Sequence, residues 1–446
     1  MTRSTAVAIA VVALLLAGPA AAVTLPSWYK CTCTSSSKQP CVCPSTSPPG
    51  GLSPSDIPQF VLFTHDDAVT TTTASTMHEI VDGKATSDGC PVVATLFIDI
   101  VANECDKTMD LYNAGFEVAD HTLHHIDLNG QSKSTVETEV MSCYNDLGNC
   151  GVPKADIRGF RQPYLSSNPT VRQVLYENGF LYDSTVLECP DCGTSDGMSA
   201  RVWPYTLQDG VAQNCEWFAP SQTCISNESY PGMWEVPLYD LSADGIYSMD
   251  YGDDSHDAYD VLKANFDAAY SGNRAPMPVY IHSPWLVDHV SDMEKFIQYV
   301  LSKPNTYFVT VQQLLAWMAN PIPASEITPE KLGCGQKGGL PAAGTAAKGP
   351  TTMPSPAPTS SPVAGPPAPA GASAPAPAQT PSMLPGPAPG PAPVDVVPSP
   401  EPTASPPPKA AAPRPAAAPP SSGASQRGAA GAAVAALACV VVALAV

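Results

Sequence analysis

The chain sets two carboxylates side by side, Asp66 and Asp67, where the apolar run FVLFT gives out. Further on, HTLHH holds His121 and His125 four residues apart. Arg161 and Tyr164 follow in RQPY, Asp183 in LYDST and His282 in PVYIH. One carboxylate and two imidazoles form a three-ligand set for a zinc-like ion and leave a position for water. Such an ion pulls the pKa of its water toward ~7, so a second carboxylate is able to remove the proton. Each cluster alone has an ordinary explanation, since Asp is common in turns and histidines four apart occur on exposed surfaces by chance. His124 also competes with His125 for a ligand place. Polar clusters closing five separate apolar runs point to a site.

Adjacent side chains in a strand face opposite ways. Asp66 and Asp67 therefore converge only if both lie past the strand, and the end of the apolar run at Thr64 predicts that. If a helical turn begins at His121, both rings project from one side. Strands are predicted over 60–64, 92–99, 116–119, 159–161, 181–185, 233–238, 279–281 and 307–310. Helical patterns lie between several of them, at 135–147, 170–178, 258–270, 291–301 and 311–318. Alternation of this kind implies an α/β fold, a parallel sheet covered by helices. The segment 58–334, roughly 275 residues, suits a (β/α) barrel, which takes ~250. An open doubly wound sheet is the alternative. In such barrels the strand C-termini share the face that carries the active site.

The remainder of the 446 residues reads as processing and tethering. Residues 1–22 have the charge, apolar run and small-residue end of a signal peptide. Residues 23–55 form a short Cys-rich stub, too small for a core without bridges. Residues 335–427, rich in Pro and Ala, read as a disordered stalk. The tail 428–446 resembles a GPI-attachment signal cleaved near Ser422, Gly423 or Ala424, with a single transmembrane helix as the alternative. A cell-surface or wall location follows, with the membrane reached only through that anchor. The net charge of −20 argues against nucleic acid as a partner.

With 14 cysteines in a chain that carries a leader, disulfides outweigh zinc fingers as the reading of the Cys-x-Cys pairs. Loss of Cys439 with the tail leaves an odd number, hence a free thiol or an intermolecular bridge. Proximity suggests Cys143–Cys150 and Cys215–Cys224, and Cys90–Cys334 would clasp the domain's ends. Asn227-Glu228-Ser229 is a glycosylation sequon.

Taken in order, Thr64-His65-Asp66-Asp67, His121-Thr122-x-x-His125, Arg161-x-Pro163-Tyr164, Tyr182-Asp183-Ser184 and the run ending at His282 resemble the motifs of the polysaccharide deacetylases of carbohydrate esterase family 4, the NodB-homology group. The likeness is greatest to the chitin deacetylases and chitin-deacetylase-like proteins of animals, and VWPYTL, MWEVPLYDL and YFVTVQQLLAWMANP extend it to about Pro321. The resemblance implies a distorted (β/α) barrel of the NodB type and metal-dependent release of acetate from N-acetylglucosamine units. It assigns Asp67, His121 and His125 to a divalent metal, most often Zn²⁺, and Asp66 to general base. His282 would be general acid, Arg161 would orient Asp66, and the Tyr164 backbone N–H would meet the oxyanion. Asp183 would either pair with Arg161 or steady His282. Trp285 and Tyr164 offer flat faces for a sugar ring.

Two departures stand out. His65 replaces the more usual Phe, placing an imidazole with a possible pH dependence beside the site. VYIHSPW lacks the Leu-x-Leu-His form. The expected enzyme is a monomeric N-deacetylase of chitin or a related GlcNAc polysaccharide. The alternatives are a non-catalytic carbohydrate-binding wall protein on the same fold, a peptidoglycan deacetylase and a xylan O-acetyl esterase.

Overall fold

The computed structural model describes residues 25–349, apart from 35, 38, 189–197, 214, 243–245 and 346. The leader, the tail and nearly all of the Pro/Ala tract lie outside the described residues, as do Cys189, Cys192 and Cys439.

The strands are β1 (Gln59–Asp66), β2 (Thr95–Ile98), β3 (Glu117–Asp120), β4 (Gly159–Phe160), β5 (Tyr182–Asp183), β6 (Leu187–Glu188), β7 (Tyr205–Thr206), β8 (Trp234–Glu235), β9 (Leu238–Tyr239), β10 (Leu241–Ser242), β11 (Ile246–Tyr247), β12 (Met277–His282) and β13 (Thr306–Phe308). Nine of them form one sheet in the order β12-β1-β2-β3-β4-β5-β8-β7, with β13 also on β1. Every neighbour is parallel except β7 on β8. All eight predicted strands belong to this sheet. It curls into a half-barrel, with β12 and β7 left as edges. β1 explains part of the distortion. β12 takes one of its edges, while β13 pairs with Gln59–Val61 and β2 with Thr64–Asp66 along the other.

The helices are α1 (Thr71–Val81), α2 (Cys105–Ala114), α3 (Lys133–Cys150), α4 (Pro169–Glu177), α5 (Ala258–Ser271), α6 (Ser283–Asp288), α7 (Val290–Leu301), α8 (Val311–Ala319) and α9 (Pro329–Leu332). Strand alternation sorts the core into two sides. Val61 and Phe63 of β1, with Leu96, Ile98, Val279 and Ile281, pack under α1, α5 and α7. Phe60, Leu62, Phe97, Ala119 and Tyr280 face the concave side, where α8 lies. That helix is apolar almost all round, as a buried helix must be. A capping box between Thr310 and Gln313 starts it, and its first N–H groups meet Thr95 Oγ1 and the buried Glu117 carboxylate. α8 thus fills the N-terminal end of the half-barrel and leaves the C-terminal end to polar groups.

Five disulfides join described residues: Cys31–Cys43, Cys33–Cys41, Cys90–Cys334, Cys105–Cys150 and Cys215–Cys224. The expected Cys143–Cys150 bridge does not form. Both residues lie on α3, and two helical turns separate them by ~10 Å, beyond the ~4.4–6.8 Å reach of a bridge. Cys150 reaches back to the start of α2 instead, and Cys143 is a free, buried thiol whose Sγ lies 3.2 Å from Ile98 O.

The stub is not a separate module. Val42 and Thr206 exchange hydrogen bonds, Thr32 bonds Asp209, and Tyr29 is buried in the core near β7. At the other end, packing continues past the expected boundary at Cys334. Gly339 O accepts from Thr310 Oγ1, and Arg158 Nη1 donates to Ala347 O.

Candidate active site and metal centre

β1 does not stop at Thr64. It continues through Asp66, because β12 and β2 keep pairing with it there. Asp66 consequently shares the concave face with Phe60, Leu62 and Thr64. Asp67 would point the other way in a continued strand. Its φ of 81° breaks the alternation, in a region that costs a non-glycine residue free energy and marks functional sites. Both carboxylates reach the same end of the half-barrel by that means. His65, of opposite parity to Asp66, goes to the helix side. It is fully buried, with Nε2 2.7 Å from Ser283 Oγ. Burial, outweighing the Asp66 charge, takes its pKa down to about 4, so the imidazole is neutral at neutral pH.

His121 and His125 do not sit on a helical turn. They flank an irregular loop after β3, with positive φ at Thr122 (75°) and His125 (51°). Asp120 Oδ1 accepts from Thr122 N, and Thr122 Oγ1 from His125 N, which fixes the loop. The rings lie 5.1 Å apart. His124 is drawn off by Glu139, 2.9 Å from its Nδ1, so it does not compete as a ligand.

Single donor atoms of Asp67, His121 and His125 all lie within 4.8 Å of one another. Asp67 Oδ1 is 3.1 Å from His125 Nε2 and 3.8 Å from His121 Nε2. Donors at ~2.0–2.1 Å from a tetrahedral ion stand about 3.3 Å apart, so the set fits such an ion. His121 Nδ1 is engaged by Arg161 O at 2.8 Å, which turns Nε2 toward the cluster. Asp67 Oδ1 is buried, and despite the short contact no donor among the described residues meets it with hydrogen-bond geometry. A shared cation would satisfy that oxygen. Burial pushes the Asp67 carboxyl up, but the neighbouring imidazoles, His125 first, bring it to about 2. Burial lowers His121, whereas the Asp67 carboxylate raises His125.

Arg161 lies fully buried after β4. Its Nη1 donates to Asp66 Oδ1 at 2.6 Å and to Thr64 Oγ1 at 2.8 Å, and its Nε to Ser184 O at 2.9 Å. The guanidinium lies over the Phe97 and Tyr280 rings, 4.0 and 4.8 Å from their centroids. On the other side of Asp66, His282 is its register partner on β12, so their Cα atoms are neighbours across a ~4.8 Å strand spacing. Tyr164 has a φ of 59° and is 63% exposed, and its ring meets His125 edge-on at 4.9 Å.

Asp183 pairs with neither Arg161 nor His282. Its Oδ1 accepts from Thr185 Oγ1 at 2.5 Å, and burial raises it to about 6. The partner of His282 is Asp250, which the sequence reading missed. Asp250 Oδ2 is 2.7 Å from His282 Nδ1, and Oδ1 accepts from His282 N at 2.8 Å. Asp250 lies in an acidic loop 32 residues upstream, one of several carboxylates in SMDYGDD, with nothing in the spacing to single it out. Burial would depress His282, but the Asp250 hydrogen bond and the charge of Asp66 outweigh it and set the pKa to about 9. Asp99, also missed, is buried after β2. Burial and the Asp67 charge raise it to about 6. Trp285 offers no sugar platform: it is 9% exposed, and its Nε1 donates to Tyr251 O at 2.9 Å.

The polysaccharide deacetylase profile matches residues 57–182. It spans β1 to β4 and the residues from Asp66 to Tyr164, but not His282. Chitin deacetylase 8 of Bombyx mori is 28% identical over 331 residues, 70% of this chain and 83% of that protein. Chitin deacetylase 1 of Bombyx mori is 26% identical over 307 residues, 62% of this chain and 54% of that protein, so the chain spans about half of that relative. Among solved structures, a family 4 carbohydrate esterase from Streptomyces lividans aligns at 15% identity and a TM-score of 0.34, over 61% of this chain and 98% of that one. The Xyl-CE4 domain of a multidomain xylanase from the hindgut metagenome of Trinervitermes trinervoides aligns at 16% identity and 0.35, over 60% and 100%. Residues 57–182 thus match the polysaccharide deacetylase family, and the chain as a whole is chitin-deacetylase-like.

Proposed function

We propose that the chain removes N-acetyl groups from GlcNAc units of chitin or a related extracellular polysaccharide and releases acetate. Asp67, His121 and His125 would hold a divalent ion, Zn²⁺ by its preference for this donor set. When bound there, such an ion supplies Lewis-acid polarisation of the acetyl carbonyl and activation of water. Asp66 takes the proton of the attacking water. Arg161 holds that carboxylate in place through a charge-assisted bond and is itself fixed by two rings and Ser184. His282 gives a proton to the departing amine nitrogen. Its Nδ1 is occupied by Asp250, so Nε2 is the donor, and a pKa of about 9 keeps it charged at neutral pH. The Tyr164 N–H, on a residue held at positive φ, would meet the oxyanion. Asp183 would act from beneath, through Thr185 and the β5 end.

The observation that carries the reading is the convergence of the ligand triad with a base–Arg pair on one side and an acid–Asp pair on the other. The protonated state of His282 favours an amide over an ester, because an amine needs a proton to leave and an alkoxide needs it less. The disulfides support an oxidising, extracellular compartment, and the sequon at the exposed Asn227 fits a glycoprotein there. The GPI tether and a monomeric state belong to the same reading. Acetate release from chitin oligomers, peptidoglycan and acetylated xylan, with and without chelator, tests it. Chelator-sensitive release from the GlcNAc substrates is expected. Release from xylan alone would move the assignment to an esterase.

A further inference from the structure

Beside the loop that carries Tyr164 lies a pocket of about 240 Å³, walled by Trp28, Gln213, Gln222, Thr223 and the Cys215–Cys224 bridge. Its volume is below the ~300–1,000 Å³ that encloses a drug-sized ligand, a scale suited to one ring. The N-terminal stub supplies the aromatic wall. Trp28 is 37% exposed, next to the buried Tyr29 that anchors the stub in the core. Two disulfides brace that segment internally, and the Thr32–Asp209 bonds hold it against the domain. The floor is rigid. Gln222 Oε1 accepts from Leu187 N, and its Nε2 donates to Leu165 O and Thr185 O. Gln213 is buried, and its Nε2 meets no acceptor among the described residues. A buried donor without a partner is costly unless a ligand supplies one.

We propose that this pocket is a distal subsite for one sugar ring of the polymer whose acetyl group is processed at the metal centre, an inference that rests on the function proposed above. An indole face, an amide donor and the Thr223 hydroxyl suit a ring with an apolar face and equatorial hydroxyls. The connection to the centre is short: Gln222 bonds Leu165, the neighbour of Tyr164, whose ring touches His125. A chain crossing Tyr164 therefore runs on toward Trp28, and the stub acts as a length sensor.

The test compares GlcNAc dimer and pentamer as substrates for wild type, Trp28→Ala, Trp28→Phe and Thr223→Tyr. Trp28→Ala raises KM for the pentamer roughly three- to tenfold, the scale of one lost aromatic contact. It leaves kcat and the dimer unchanged, and Trp28→Phe restores most of the loss. Thr223→Tyr, which fills the pocket from an exposed position, gives the same selective defect should Trp28→Ala disturb the stub. Equal effects on both lengths, or none, overturn the proposal. Calorimetric binding of the pentamer is measured in parallel. If wild type releases no acetate, the deacetylase reading fails, and pentamer binding weakened by Trp28→Ala and Thr223→Tyr still supports the subsite. Pentamer binding indifferent to both, or absent in wild type, overturns it.

Discussion

At the scale of single residues, adjacent aspartates are given different tasks by one backbone angle. Asp66 obeys strand parity and meets Arg161; Asp67 escapes it through a positive φ and meets the histidines. Substitution should separate the two. Asp66→Asn is expected to keep a full complement of metal while acetate release falls about 10²–10⁴-fold, the usual worth of a general base. His125→Ala should lose metal and activity together, read by elemental analysis and acetate assay. Asp250 offers a pH test. His282 must be protonated to donate, so activity is retained below its pKa of about 9 and lost as pH rises through it. Removing the Asp250 carboxylate takes away what raises that pKa. Asp250→Asn should therefore move the alkaline limb of kcat/KM to lower pH, and an unmoved limb would assign the proton to another group. The sequence offered Asp67, His121 and His125 as candidate ligands, and Asp66 and His282 as candidate base and acid, through residue type and order. It could not show Asp250, because the contact joins a loop to the end of β12, nor settle the part of His124, which Glu139 decides in three dimensions.

At the scale of elements, the apolar runs announced the parallel strands, and the periodic patterns announced α3, α4, α5, α7 and α8. α1 was hidden by its composition, since a run of threonines reads as strand or turn. The Thr70 cap at Thr73 N and the buried Ala74, Met77, Ile80 and Val81 make it a helix nonetheless. The end of β1 was misplaced for a related reason. Hydrophobicity stops at Thr64, but ladder pairing on both edges carries the strand on to Asp66. β4 depends on closeness of another kind. A Cβ on Gly159 would overlap the Tyr182 ring, whose hydroxyl bonds the buried Glu117 carboxylate. Gly159→Ala should cost about 1–3 kcal/mol by overpacking, seen as a lowered Tm, with acetate release reduced as the strand leading into Arg161 shifts. A variant of wild-type stability would show that β4 has room to move.

At the scale of the molecule, the half-barrel is closed by devices other than strands. α8 fills one end, the stub covers the β7 side, and Cys90–Cys334 ties the loop before β2 to the segment after α9. That bridge and Cys215–Cys224 could be anticipated from position. Cys105–Cys150 could not, because it depends on how α2 packs against α3. The long loop that Cys90–Cys334 closes makes it the bridge with most to lose. Cys334→Ser should lower stability by about 2–5 kcal/mol in denaturant unfolding, while leaving the donor atoms of the centre in place.

The most direct test of the central claim is metal stoichiometry and acetate release, measured together on one preparation before chelation, after it and after return of Zn²⁺. Asp67, His121 and His125 as a ligand set require one ion per chain, release that disappears with the ion, and recovery when it is restored. Undiminished acetate release from chelated protein shown to hold no metal would contradict it.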